Sequence, residues 1–212
     1  MTFDETQSSA RPVETAFHEN EPHQGRIGGK LNWLRAGVLG ANDGIVSTAG
    51  VVIGVAGAAQ GNVLAIATAG VAALVAGAFS MAGGEYVSVS TQRDTEQALI
   101  EKEKRELAEE PELELQELAG LYRQRGLSEE VALRVAEELT AHDALAAHAE
   151  VELGIDPEEL TSPWSAALSS FVAFTVGGLL PLIMILLPLG EHRVWAAAVA
   201  VVIGLIATGW IS

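Results

Sequence analysis

Four stretches of this chain stay apolar for longer than a buried soluble helix normally does. The first runs from about Leu34 to Ala59 and is interrupted by one acid, Asp43. The second runs from about Val63 to Val89 and has its only acid, Glu85, near the far end. The third (Trp164 to Leu189) and the fourth (Val194 to Ser212) carry no charge at all. A hydrocarbon core of about 30 Å needs roughly 20 apolar residues in helical form, and each stretch meets that length. Trp33, Trp164, Trp195 and Trp210 all fall near stretch ends, where interfacial aromatics gather. The pattern predicts an all-α fold with four membrane-spanning helices.

Between the second and third stretches the pattern changes to short amphipathic segments that predict three helices. The first spans about Gln92 to Glu109 and stops at Pro111, which cannot continue a helix. The second spans Glu112 to Arg125 and ends at Gly126, a suitable residue for a left-handed helix terminus. Ser128 then offers an N-cap, with Glu129 and Glu130 in the first turn. The third helix continues to Leu153 and ends at Gly154, before Pro157 and Pro163 lead back to the apolar region. The chain therefore divides into a polar N-terminal tail (1–29) expected to be disordered, spans 1 and 2 (30–90), a helical domain (91–163), and spans 3 and 4 (164–212). His18 and His23 belong to the tail and read as solvated. No basic segment followed by a short apolar core precedes the first span, so no cleaved leader is expected.

Charge sharpens this division. The formal net charge is −16, although 49% of residues are hydrophobic and the mean hydropathy is +0.29. From Thr91 to Pro163 there are 20 acidic residues against 7 basic ones, a net of −13. Such segregation reads as two membrane blocks around one acidic aqueous domain. An acidic balance also excludes nucleic acid, whose phosphates need a basic footprint. The chain has no cysteine, which removes disulfides and thiolate metal ligands. Arg26, Lys30 and Arg35 precede the first span, and Arg93, Lys102, Lys104 and Arg105 follow the second. The connection between the last two spans has only Arg193. This bias puts the N-terminus and the acidic domain in the cytoplasm.

Three groups of residues carry candidate chemistry. Asp43 sits mid-span, where a carboxylate costs about 2.5–3.5 kcal/mol on insertion scales and therefore usually faces a cavity or a partner. It lies within Gly40-Ala41-Asn42-Asp43-Gly44, where small residues permit close helix approach. The plainer reading of Asp43 is a structural hydrogen bond between helices. Met81 and Glu85 share one helix face, and a soft thioether beside a carboxylate favours borderline ions over Ca2+ or Mg2+; Met81 alone reads better as apolar filler, and its position opposite a buried acid is what raises it. In the acidic domain, Glu103 and Glu106 stand at i, i+3, as do Glu114 and Glu117 one helix later. Each pair projects from one face. If the two helices pack antiparallel, four carboxylates converge, and the third helix adds His148 and Glu152 at i, i+4, with His142 nearby. The plainer reading of these acids is a solvated face.

Two motifs within the first two spans resemble the vacuolar iron transporter family: Gly40-Ala-Asn-Asp-Gly-Ile-Val-Ser47 and Ser80-Met-Ala-Gly-Gly-Glu-Tyr-Val-Ser-Val-Ser90. The stretch Glu137-Glu-Leu-Thr-Ala-His-Asp-Ala-Leu-Ala-Ala-His-Ala-Glu-Val-Glu-Leu-Gly154 extends the likeness, which covers about Leu31 to Ser212. The resemblance implies a homodimer whose ion path runs between subunits along the first spans, and exchange of Fe2+ or Mn2+ for protons. It places Asp43 and Met81 on that path; Glu85 joins it only through the helix face it shares with Met81. It also makes Glu103, Glu106, Glu114, Glu117, His148 and Glu152 the metal ligands of a cytoplasmic domain. Two departures stand out: His148 occupies a position that is Met in similar proteins, and the family has five spans where four are legible here.

The expectation is thus a non-enzymatic transporter that exports Fe2+ or Mn2+, holds no permanent cofactor and also binds Zn2+ at its acidic domain. The Ala/Gly-rich composition suggests a bacterial plasma membrane. A membrane-anchored metal buffer or sensor is the rival reading. A ferroxidase is the weakest, because the Glu-x-x-His unit of di-iron bundles is missing.

Overall fold

The computed structural model describes residues 27–59, 62–157 and 160–211; the polar tail, His18 and His23 lie outside them. Among the described residues there are six α-helices and no strand: α1 (Ile27–Ala58), α2 (Val63–Glu109), α3 (Pro111–Gln124), α4 (Glu129–His148), α5 (Pro163–Leu186) and α6 (Arg193–Ile211). A π-helical turn, Ala149–Leu153, follows α4, and a 3-10 turn, Gly190–His192, links α5 to α6. Four helices are long and apolar enough to cross a membrane: α1, the first part of α2, α5, and α6 with its preceding turn. The chain is an integral membrane protein.

One expected element is corrected. Gln92–Glu109 is not a helix of its own but the continuation of the second span, so α2 is a single helix of 47 residues. Nothing between Val89 and Gln92 breaks it. The Thr91 hydroxyl donates to the Val87 carbonyl (2.9 Å) and the Thr95 hydroxyl to Thr91 (2.9 Å), which leaves the helix backbone intact. At 1.5 Å per residue such a helix is about 70 Å long, more than twice a hydrocarbon core. It ends where expected, at Pro111.

Helix α5 is the hub of the apolar half, packing against α1, α2 and α6. Its contact with α1 is backbone on backbone. A Cβ at Gly44 would collide with the Phe174 carbonyl, and one at Gly177 with the Ala41 carbonyl, so glycine is required on both sides. The core around this crossing includes Val52, Ile66, Leu74, Ala78, Phe174, Leu182 and Ile185. Polar ties reinforce it: Ser169 donates to the Trp33 carbonyl (3.2 Å), and Thr208 of α6 donates to Asn42 Oδ1 (2.7 Å). The four tryptophans are largely exposed, and Trp164 meets Tyr86 of α2 in a tilted contact, with ring planes inclined at 59° and centroids 4.9 Å apart.

A second, smaller core joins α3, α4 and the π-turn through Leu118, Ala119, Ala136 and Ala147. The far part of α2 packs on this unit.

Candidate metal centre

Each candidate ligand of the helical unit is delivered by a different piece of backbone. Glu103 comes from the far part of α2, and its neighbour Ile100 is also buried. Pro111 opens α3 as its first residue, a position where the missing N–H costs nothing. That turn sets Glu114 on the buried face with Leu118 and Ala119. Gly126 (φ 101°) then reverses the chain into α4. Ser128 stands at the α4 N-cap with extended backbone, although its side chain makes no capping bond.

The third helix is not the single element expected. Asp143 has φ −157° and ψ 98°, outside helical space, and its Oδ1 accepts from the Ala146 amide at 2.9 Å. The chain stops there and restarts under a new N-cap. Beyond the break come His148 and the π-turn that carries Glu152, closed at Gly154 in the left-handed conformation (φ 66°). The helix thus ends at the predicted residue by an unpredicted route. One signal was available, since Asp is a strong N-cap residue and a poor one for a helix interior.

These elements bring Glu103, Glu114, His148 and Glu152 together, with one ligand atom of each lying within 4.8 Å of all the others. The His148 Nδ1 atom is the focus. It lies 2.9 Å from Glu103, 3.6 Å from Glu114 and 3.8 Å from Glu152. The imidazole is fully buried, the Glu103 and Glu114 side chains nearly so, and Glu152 is 27% exposed on the open side. Both imidazole nitrogens and Glu103 Oε1 lack a well-directed hydrogen bond among the described residues.

Such a cluster is electrostatically unfavourable by itself. Burial first, and then the charges of Glu152 and Glu114, push the Glu103 carboxyl up to about 7. Burial, with Glu117 next, raises Glu114 as well. Burial lowers His148 despite the neighbouring carboxylates. All three shifts favour neutral forms, the response of ionisable groups crowded together away from water. Three carboxylates and one imidazole form an oxygen-rich donor set with a single nitrogen, suited to divalent first-row ions.

The remaining expected residues lie elsewhere. Glu106 is held by an ion pair with Lys102, and Glu117 is exposed, though its charge reaches Glu114 and His148. His142 is exposed and stands apart from the four-residue group. In the apolar half, Asp43 is on the outward face of α1 and accepts a bond from the Ser47 hydroxyl (3.1 Å). Met81 is half-buried against the main core, and Glu85 is half-buried one turn further along α2.

A polytopic helical membrane protein with a carboxylate–imidazole cluster on a helical extension is the class these features define. Residues 34–212 match the VIT family, and the chain belongs to it. The chain is 49% identical over 166 residues to a protein of Acanthamoeba castellanii named vacuolar iron transporter, covering 78% of this chain and 60% of that one. A vacuolar iron transporter homolog 1 of Oryza sativa is 40% identical over 173 residues, covering 82% and 54% respectively. A vacuolar iron transporter homolog 2 of Arabidopsis thaliana is 34% identical over 183 residues, covering 86% and 68%. The matched stretch is therefore little more than half the length of the first two relatives.

Proposed function

We propose that this protein is a transporter that moves Fe2+ or Mn2+ out of the cytoplasm across a bacterial plasma membrane, in exchange for protons. The acidic helical domain faces the cytoplasm, where its charge concentrates divalent cations. Glu103, Glu114, His148 and Glu152 receive the ion, with Glu106 and Glu117 in the surrounding field, and Zn2+ enters the same ligands. The ion then passes to Glu85, Met81 and Asp43 within the spans, and protons from the far side compete for Asp43 and release it. The protein works as a homodimer with first spans facing each other. The exposed face of α1 fits that arrangement, because it combines Asp43 and Ser47 with Gly50, Gly54 and Gly57.

The observation that carries this reading is the convergence of three carboxylates on His148 Nδ1 in a chain of the VIT family. Names of the relatives supply the iron; Mn2+ follows from the oxygen and nitrogen donors, which accept both ions. Flux of Mn2+ through the purified protein in liposomes, under an imposed pH gradient, tests it. The native chain drives uptake that stops in Asp43→Ala while the protein keeps its oligomeric size. Equal flux through Asp43→Ala removes Asp43 from the path. Metal binding without any gradient-driven flux makes the protein a tethered buffer instead.

A further inference from the structure

The π-turn that carries Glu152 packs Val151 against the small core and also receives a hydrogen bond from a side chain at the end of α3. Arg125, at the C-terminus of α3, donates from Nη2 to the Val151 carbonyl at 3.0 Å. Its guanidinium carbon also lies 5.7 Å from the centre of the Tyr122 ring, which steadies the group against its own helix. Val151 stands between the two metal-facing residues of this segment, His148 and Glu152.

The segment needs such a tether. The non-helical Asp143 interrupts α4, so the direction of its first part, before the break, does not by itself fix that of His148 at its end. At the other end the chain turns away at Gly154, where the Gly154 and Ile155 amides both use the Ala149 carbonyl. Val151 is among the last residues of the turn, so its carbonyl is one of the terminal acceptors that a helix leaves to outside donors. The π-turn places the Glu152 carboxylate 3.8 Å from the His148 Nδ1 atom. The backbone around Val151 therefore sets whether the imidazole and the Glu152 carboxylate point at the same spot.

We infer that Arg125 is a positioning residue for the metal centre: through the Val151 carbonyl it locks the π-turn in the register that aims His148 and Glu152 at Glu103 and Glu114. This rests on the reading of those four residues as a metal site. Arg125 joins the helix that supplies Glu114 to the turn that supplies Glu152, so it ties two ligand-bearing elements together without touching the ion. Groups hydrogen-bonded directly to metal ligands typically change affinity by about 10–100-fold, and Arg125, acting one step further out through the Val151 backbone, is expected at the low end of that range.

The test uses the full-length protein in detergent, titrated with Mn2+ followed by electron paramagnetic resonance, and with Co2+ followed by its visible absorption. Arg125→Met keeps the aliphatic stem over Tyr122 and removes the donors. It is expected to leave helix content and metal-free melting unchanged, to weaken Mn2+ binding about tenfold, and to alter the Co2+ spectrum. Arg125→Lys restores a donor and is expected to recover at least half of the lost affinity. An Arg125→Met protein with native affinity and spectrum overturns the inference while the metal site stands. Failure of Arg125→Lys to recover any binding overturns it too, since the donor is then not what matters. A native protein that binds neither ion removes the metal site itself, and the inference with it.

Discussion

His148 Nδ1 lies 2.9 Å from Glu103 Oε1 inside the helical unit, and neither atom is satisfied by a well-directed hydrogen bond among the described residues. Glu114 and Glu152 approach the same nitrogen at 3.6 and 3.8 Å, so four potential ligand atoms lie within 4.8 Å of one another. Leaving buried polar atoms unpaired costs stability, and a cation held between them removes the cost.

Glu103→Gln therefore separates stability from binding. Burial and the neighbouring carboxylates push the Glu103 carboxyl from 4.5 up to about 7, so holding it ionised destabilises the native state at high pH. Replacing it with the neutral amide raises the metal-free melting temperature at pH 8. The same substitution abolishes the further rise that Mn2+ gives to the native protein. Thermal unfolding of both proteins in detergent, with and without Mn2+, checks the two signs together.

Affinity for metal rises with pH through neutrality. Binding requires Glu103 to lose its proton, and that proton leaves at about 7. One displaced proton makes Mn2+ binding about tenfold tighter at pH 8 than at pH 6. Calorimetry at the two pH values, in buffers of different ionisation heat, reports both the affinity ratio and the proton released. A ratio near one discounts Glu103 as a ligand.

Metal-free stability responds to pH in two opposing senses, one from the raised Glu103 and Glu114 carboxyls and one from the lowered His148 imidazole. Glu103 is raised, so its contribution is complete below 4.5 and is lost as pH climbs towards 7. His148 is lowered, so its contribution is present above 6.5 and is lost as pH falls below that value. His148→Ala removes the second effect and leaves the first. The variant's melting temperature should then fall from pH 5 to pH 7.5 more steeply than the native protein's.

At the α1–α5 crossing, Gly177→Ala places a methyl against the Ala41 carbonyl, and backbone cannot yield as a side chain does. A loss of about 1–3 kcal/mol is expected from such overpacking. Gly209→Ala is the control, since a Cβ there meets nothing within 4 Å among the described residues. Detergent unfolding should separate the two variants clearly.

Thr208→Val keeps shape and removes the hydroxyl that α6 donates to Asn42. Hydrogen bonds between membrane helices average about 0.6 kcal/mol, with a maximum near 1.7. The loss should fall in that range, and Mn2+ flux should decline with it only if the setting of α1 beside Asp43 matters to transport.

Much of this architecture is written in local chemistry. Long uncharged runs demand a membrane because no soluble surface accommodates them, and Pro111, Gly126 and Gly154 end helices wherever a missing amide or a left-handed turn requires it. The i, i+3 and i, i+4 spacings of the glutamates and His148 likewise follow from helical geometry alone. Selection among those acids does not. Glu103 and Glu114 are buried while Glu106 pairs with Lys102 and Glu117 faces water, and this depends on which side of each helix the Leu118–Ala136 core covers. The unbroken α2, the break at Asp143 and the tether from Arg125 to Val151 are equally tertiary. Each balances a local preference against packing with chain that is distant in sequence, and periodicity carries no record of that balance.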